Sequence, residues 1–259
     1  MIDGLELGIL APAFLAGLLV VATHVPLGQE VLRRGIIFID LAIAQIAGLG
    51  VISAHSFGLQ PDGWAVQGIA GSSAIVGALL LSWTERRWQQ GQEALIGVIF
   101  VMAATTGILM LANNPHGGEH LQELLSGQIL WVDPHWLPWV AILYGTILTT
   151  WLLFRERLGG TGFYILFALA VTASVQLVGV YLVFSSLIIP SLATLRMQLA
   201  GKSRLTWGYM IGACGYGTGL ILSTIFDLPS GPVIVWCLAL CAIAAVLLRG
   251  SHFESTGER

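Results

Sequence analysis

Apolar stretches long enough to cross a bilayer follow one another from end to end of this chain. They cover residues 6–24, 36–55, 64–82, 94–112, 136–154, 162–182, 184–200, 206–226 and 231–248. About 20 mostly apolar residues let an α-helix span a hydrocarbon core about 30 Å thick. The composition agrees, with 56% hydrophobic and only 10% charged residues, against about 25% charged in an average soluble domain. The expected fold class is all-α: a polytopic membrane protein with eight to nine transmembrane helices, forming one domain over residues 1–259. The weakest division is Gly162 to Ala200, too long for one crossing and short for two, with Pro190 inside it.

Charge sets an orientation. With nine spans, Arg33, Arg34, Arg86, Arg87, Arg155, Arg157, Arg196, Lys202, Arg204, Arg249 and Arg259 all fall on one side. Positive charge marks the cytoplasmic side, which puts the N-terminus outside and the C-terminus inside. The start, "MIDGLELGILAPAF", is acidic and lacks a basic n-region, so the first run reads as a retained span. A net charge of −3 and the lack of a basic cluster argue against nucleic acid as a partner. Cys214, Cys237 and Cys241 lie in apolar runs and read as small packing residues.

Asp40 interrupts the second run, "GIIFIDLAIAQIAG". An ionised side chain at a helix centre costs about 2.5–3.5 kcal/mol on insertion scales. The carboxylate either bonds a neighbouring helix for packing specificity or lines a path for a cation or proton. Gln45 follows it about 140° around the axis at about 3.6 residues per turn. The two do not share a face, but both can line one cavity between helices.

The longest gap between runs, "NNPHGGEHLQELLSGQILWVDPH", holds His116, Glu119 and His120. These donor types suit zinc and similar metals, and the H-x-x-E-H spacing matches inverted zincins. Gly117 and Gly118 each weaken the required helix by about 1 kcal/mol relative to Ala. The segment therefore reads as a polar outer loop or one that gathers metal. His24 and His55 sit at span ends, where interfacial and ligand roles are both open. In "GVYLVFSSLIIPSLATLRMQ", Ser185, Ser186 and Pro190 break the apolar pattern. Carbonyls freed at such a break face only protein or water, and interrupted spans mark translocation paths in transporters. An ordinary proline kink is the plainer reading. The chain carries no P-loop.

Several ordered blocks carry a family resemblance: "PLGQEVLRRGIIFID", "EALIGVIF", "LLSGQILWVDP", "QLVGVYLVFSSLIIPSLAT" and "FDLPSGPVIVWCLAL". Together they resemble the membrane permease subunits of zinc- and manganese-type ABC importers, over nearly the whole chain. The resemblance implies an ABC importer permease fold and a permease that forms a homodimer. It implies two cytoplasmic ATP-binding subunits and an extracytoplasmic solute-binding protein that delivers metal. It also places Asp40 on the metal path. Two features depart from the family pattern. Ala44, followed by Gln45, stands where the family commonly has a His, and "RERLGGTG" is shorter than the family's cytoplasmic segment before "VGVYLV".

The expected function is therefore a permease subunit of a bacterial inner-membrane importer for a divalent metal, zinc or manganese. The metal is cargo, no cofactor is held by the chain, and ATP is hydrolysed by a separate subunit. The path residues are Asp40, Gln45, His24, Ser185, Ser186 and Pro190, with His116, Glu119 and His120 in the outer loop. Two rivals remain: a permease for another small substrate such as a metal chelate, and an intramembrane metalloprotease using His116, Glu119 and His120.

Overall fold

The computed structural model describes residues 7–57, 64–88, 90–112, 114 and 117–256. The described helices are α1 Leu7–Arg34, α2 Ile39–Ser56, α3 Trp64–Arg87, α4 Gln92–Leu111, α5 Gly117–Ser126, α6 Leu137–Val178, α7 Val180–Arg196, α8 Gly201–Phe226 and α9 Ser230–Thr256. Two 3-10 turns, Ile129–Trp131 and Pro134–Trp136, lie between α5 and α6.

Among the described residues, seven stretches are long and apolar enough to cross a membrane: Gly8–Arg34, Ala65–Arg87, Gln92–Leu111, Leu137–Phe154, Glu156–Val178, Gly201–Phe226 and Ser230–Arg249. Ile39–Ala54 and Val180–Arg196 are shorter apolar helices. The nine expected apolar runs correspond to seven helices of full membrane length and two shorter apolar ones, with different bounds at the first two runs. The reason is local. α1 continues ten residues past His24, through Pro26, and ends at a turn where Gly35 takes φ +70°. α2 then starts only at Ile39. Gly179, at φ +80°, divides α6 from α7. The backbone of Gly179 lies against that of Gly127, leaving no room for a Cβ on either residue.

α6 is a hairpin. Its backbone leaves helical geometry at Gly159, where φ is +59°, a conformation glycine adopts without steric penalty. Tyr144 Oη and Ser174 Oγ, 30 residues apart, lie at 2.6 Å. A straight helix would hold them about 45 Å apart at about 1.5 Å per residue. Trp151 and Phe163 pair across the same bend, their ring centroids 5.3 Å apart. The short segment 155–162 is this bend.

The bend meets the C-terminal ends of α1 and α3. Arg34 lies 3.7 Å from Glu85 and caps the ring of Phe163, and Arg86 donates to Thr161 at 2.5 Å. These groups form one basic end of the bundle. Exposed Trp83 and Trp88 lie at that end, and exposed Trp131, Trp136 and Trp139 at the other. Tryptophan at both ends of an apolar bundle is the pattern of membrane interfaces.

Small residues let the central helices approach. Gly208 and Gly212 of α8 lie under Val25 and Val21 of α1, while Gly215 and Gly219 lie against Leu238 and Ile234 of α9. In lipid, such close contact replaces the hydrophobic drive between helices. Pro26 has no N–H, so the Ala22 carbonyl loses its helical partner. Tyr209 of α8 donates its hydroxyl to that carbonyl at 3.3 Å.

Candidate functional site

Asp40 is the second residue of α2, in its first turn. The sequence placed it deeper in a span, because the apolar run begins before the helix does. It is 1% exposed, and neither carboxylate oxygen has a hydrogen-bond partner. The N–H groups of Asp40 and Leu41 lie beside it without hydrogen-bond alignment. A helix N-terminus favours negative charge, but a buried carboxylate without a bonded partner remains costly. Gln45 is also buried, on the part of α2 that packs against its helical neighbours.

His24 is not at a span end. It lies inside α1 and is wholly buried. Its Nδ1 is 2.7 Å from Ser186 Oγ of α7, and its Nε2 is 3.0 Å from Ser174 Oγ of α6. Ser174 donates to the Ala170 carbonyl at 2.7 Å and faces Tyr144 Oη. Ser186 likewise donates to the Val183 carbonyl at 3.0 Å, so each hydroxyl has one proton shared between a carbonyl and the ring, and the donor at each ring nitrogen follows from the tautomer. The structure thus joins His24 and Ser186 in a closed polar chain linking α1, α6 and α7.

α7 runs unbroken through the serines and Pro190. Ser185 turns to its own helix and donates to the Tyr181 carbonyl at 2.8 Å. Pro190 is buried and lacks the N–H that would bond the Ser186 carbonyl. The expected interruption is one missing backbone bond inside a continuous helix.

His116 lies outside the described residues. Glu119 and His120 fall in the first turn of α5, whose helix begins at Gly117, and Glu119 is exposed. Among the described residues, no three His, Cys, Asp or Glu side chains group as a metal site. Beyond α5, Asp133 accepts from the His135 N–H at 2.9 Å and faces its ring at 2.8 Å, which holds its carboxyl below the ordinary range.

Glu93, Ser174 and Tyr144 were not singled out from the sequence. Glu93 opens the "EALIGVIF" block, and an acid at the start of an apolar run was the available signal. Ser174 and Tyr144 sit in apolar runs with no such mark.

Apolar helices of membrane length, tryptophan at both ends, a polar chain inside and a buried carboxylate describe a multi-pass membrane protein. The description of the ABC 3 transport family matches residues 6–163 and 160–249, and the chain belongs to that family as a transport permease, not an enzyme. The metalloprotease reading of His116, Glu119 and His120 is thereby overturned.

The chain is similar to the high-affinity zinc uptake system membrane protein ZnuB of Haemophilus influenzae, 25% identical over 260 residues, covering 93% of this chain and 98% of that one. It is also similar to the manganese transport system membrane protein MntC of Halalkalibacterium halodurans, 26% identical, covering 81% of this chain and 76% of that one. Its fold matches the solved structure of PsaBC from Streptococcus pneumoniae in complex with Fab, with a TM-score of 0.75 at 21% identity, covering 94% of this chain and 93% of that one.

Proposed function

We propose that this permease carries a divalent metal ion, zinc or manganese, into a bacterial cell across the inner membrane, and that Asp40 contacts the ion in transit. The observation that carries the reading is the buried Asp40 carboxylate with both oxygens unbonded. A passing divalent cation supplies the charge that such a group lacks. The names of the zinc and manganese relatives support the choice of cargo.

In this reading the basic end faces the cytoplasm, and the short helices α2 and α7 cross with the seven long ones. The chain acts as one permease domain within a homodimer. Two ATP-binding subunits dock at the Gly159 bend and at the turn between α7 and α8, and a solute-binding protein delivers metal from outside. Gln45 orients the ion or its water. His24, Ser185, Ser186 and Pro190 belong to the helix walls that hold the path in shape. The test is uptake of zinc and manganese by cells expressing the permease with its ATP-binding and solute-binding partners. Uptake of neither overturns the cargo assignment.

A further inference from the structure

Asp40 is not the only carboxylate at the basic end with unbonded oxygen. Glu93, the second residue of α4, accepts the Phe38 N–H on Oε1 at 3.1 Å, two residues before Asp40. That bond ties the head of α4 to the turn leading into α2. The other oxygen, Oε2, is buried and has no partner. Glu93 lies within electrostatic reach of Asp40. The nearby arginines are engaged elsewhere: Arg33 and Arg34 both close on Glu30, and Arg34 also approaches Glu85 and Phe163.

We propose that Glu93 is a second carboxylate ligand beside Asp40, so that the heads of α2 and α4 together form one two-carboxylate cation site. The proposal rests on the reading of Asp40 as part of the metal path. Like charges brought together out of water repel, and Glu93 Oε2 and both Asp40 oxygens make no aligned hydrogen bond, although the N–H groups of Ile37, Asp40 and Leu41 lie nearby. One divalent cation relieves both problems. Carboxylate and water oxygens suit hard cations such as manganese, and water completes the coordination. Access is provided at the same place. Glu93 is half-buried and Phe38 is exposed, so Glu93 stands at the edge of the bundle with the buried Asp40 behind it. The cap on Phe38 fixes where Oε2 stands, which gives Glu93 a positioning element of its own.

The test is Mn2+ binding to the purified full-length chain, read by electron paramagnetic resonance. Glu93→Gln keeps an amide oxygen for the Phe38 N–H while replacing the charged Oε2 by a neutral NH2 that cannot bind a cation. Glu93→Gln and Asp40→Asn should each weaken Mn2+ binding by about tenfold or more, since even outer-shell changes at metal sites cost about 10–100-fold. The thermal midpoint of Glu93→Gln should match that of the wild type. Unchanged binding in Glu93→Gln with loss in Asp40→Asn makes Glu93 a backbone cap only and overturns the proposal, leaving the Asp40 reading intact. Unchanged binding in both overturns both. A second measurement needs no variant: Fe2+ bound in place of manganese, with ascorbate and peroxide, should cut the wild-type backbone near residues 38–42 and near 91–95. Cuts confined to the head of α2 overturn the two-carboxylate site.

Discussion

His24 Nδ1 and Ser186 Oγ stand 2.7 Å apart across α1 and α7, although 162 residues separate them in the chain. Nε2 makes the matching approach to Ser174 at 3.0 Å, so one imidazole ties three helices. His24→Ala should leave these hydroxyls without their shared partner. Interhelical hydrogen bonds in membranes contribute about 1–2 kcal/mol in model peptides. The detergent-solubilised variant should unfold at lower temperature, and uptake should fall only as membrane abundance falls. Reduced uptake per molecule at full stability would instead make His24 an ion contact.

Tyr209 and Pro26 form a compensating pair. The hydroxyl satisfies the Ala22 carbonyl that Pro26 leaves without a helical donor. Tyr209→Phe should cost about 1 kcal/mol of stability. Pro26→Ala restores an N–H four residues on, so Tyr209→Phe should cost less in that background. Thermal midpoints of the four proteins in a double-mutant cycle give the coupling. Strict additivity would show that the carbonyl is not their common partner.

Gly28 is a contact point between α1 and α7. A Cβ there would collide with the Leu187 carbonyl and Ser191 Oγ. Gly28→Ala should destabilise by about 1–3 kcal/mol, the usual cost of overpacking. A Cβ at Gly145 meets nothing within 4 Å, so Gly145→Ala should be neutral or slightly stabilising, as Ala favours helix by about 1 kcal/mol. Equal midpoints for the two variants would contradict the packing described.

The helices were legible wherever apolar length alone decides them. The starts of α3, α4 and α9 lie within two residues of the runs, and the division of the stretch from Gly162 to Ala200 is real. α1 and α2 were misjudged because polar "GQEVLRR" looked like a loop. There Glu30 binds Arg33 and Arg34, and such local pairing lets a charged stretch remain helical. Asp40 was visible as a charge in an apolar run. Its neighbour Glu93 was not, because their proximity comes from α2 packing on α4, 53 residues later. The His24 chain was hidden for the same reason: serines and tyrosines in apolar runs show their partners only after the helices meet.

The orientation can be read by labelling. Single cysteines at Arg87 and Gly118, both exposed, should react oppositely with an impermeant thiol reagent in intact cells, once Cys214, Cys237 and Cys241 are replaced. Gly118 should label from outside and Arg87 only after permeabilisation. Equal labelling would remove the proposed crossing of α4.

The central claim is that Asp40 meets the metal ion. Asp40→Asn keeps the size of the side chain and removes its charge. Metal uptake by the whole importer, measured beside the membrane abundance of the permease, decides the matter. Uptake per molecule should fall by about tenfold or more, given that even outer-shell changes cost about 10–100-fold at metal sites. Abundance should stay near that of the wild type, and Gln45→Ala should lose less. Near-normal uptake at normal abundance would contradict the role assigned to Asp40.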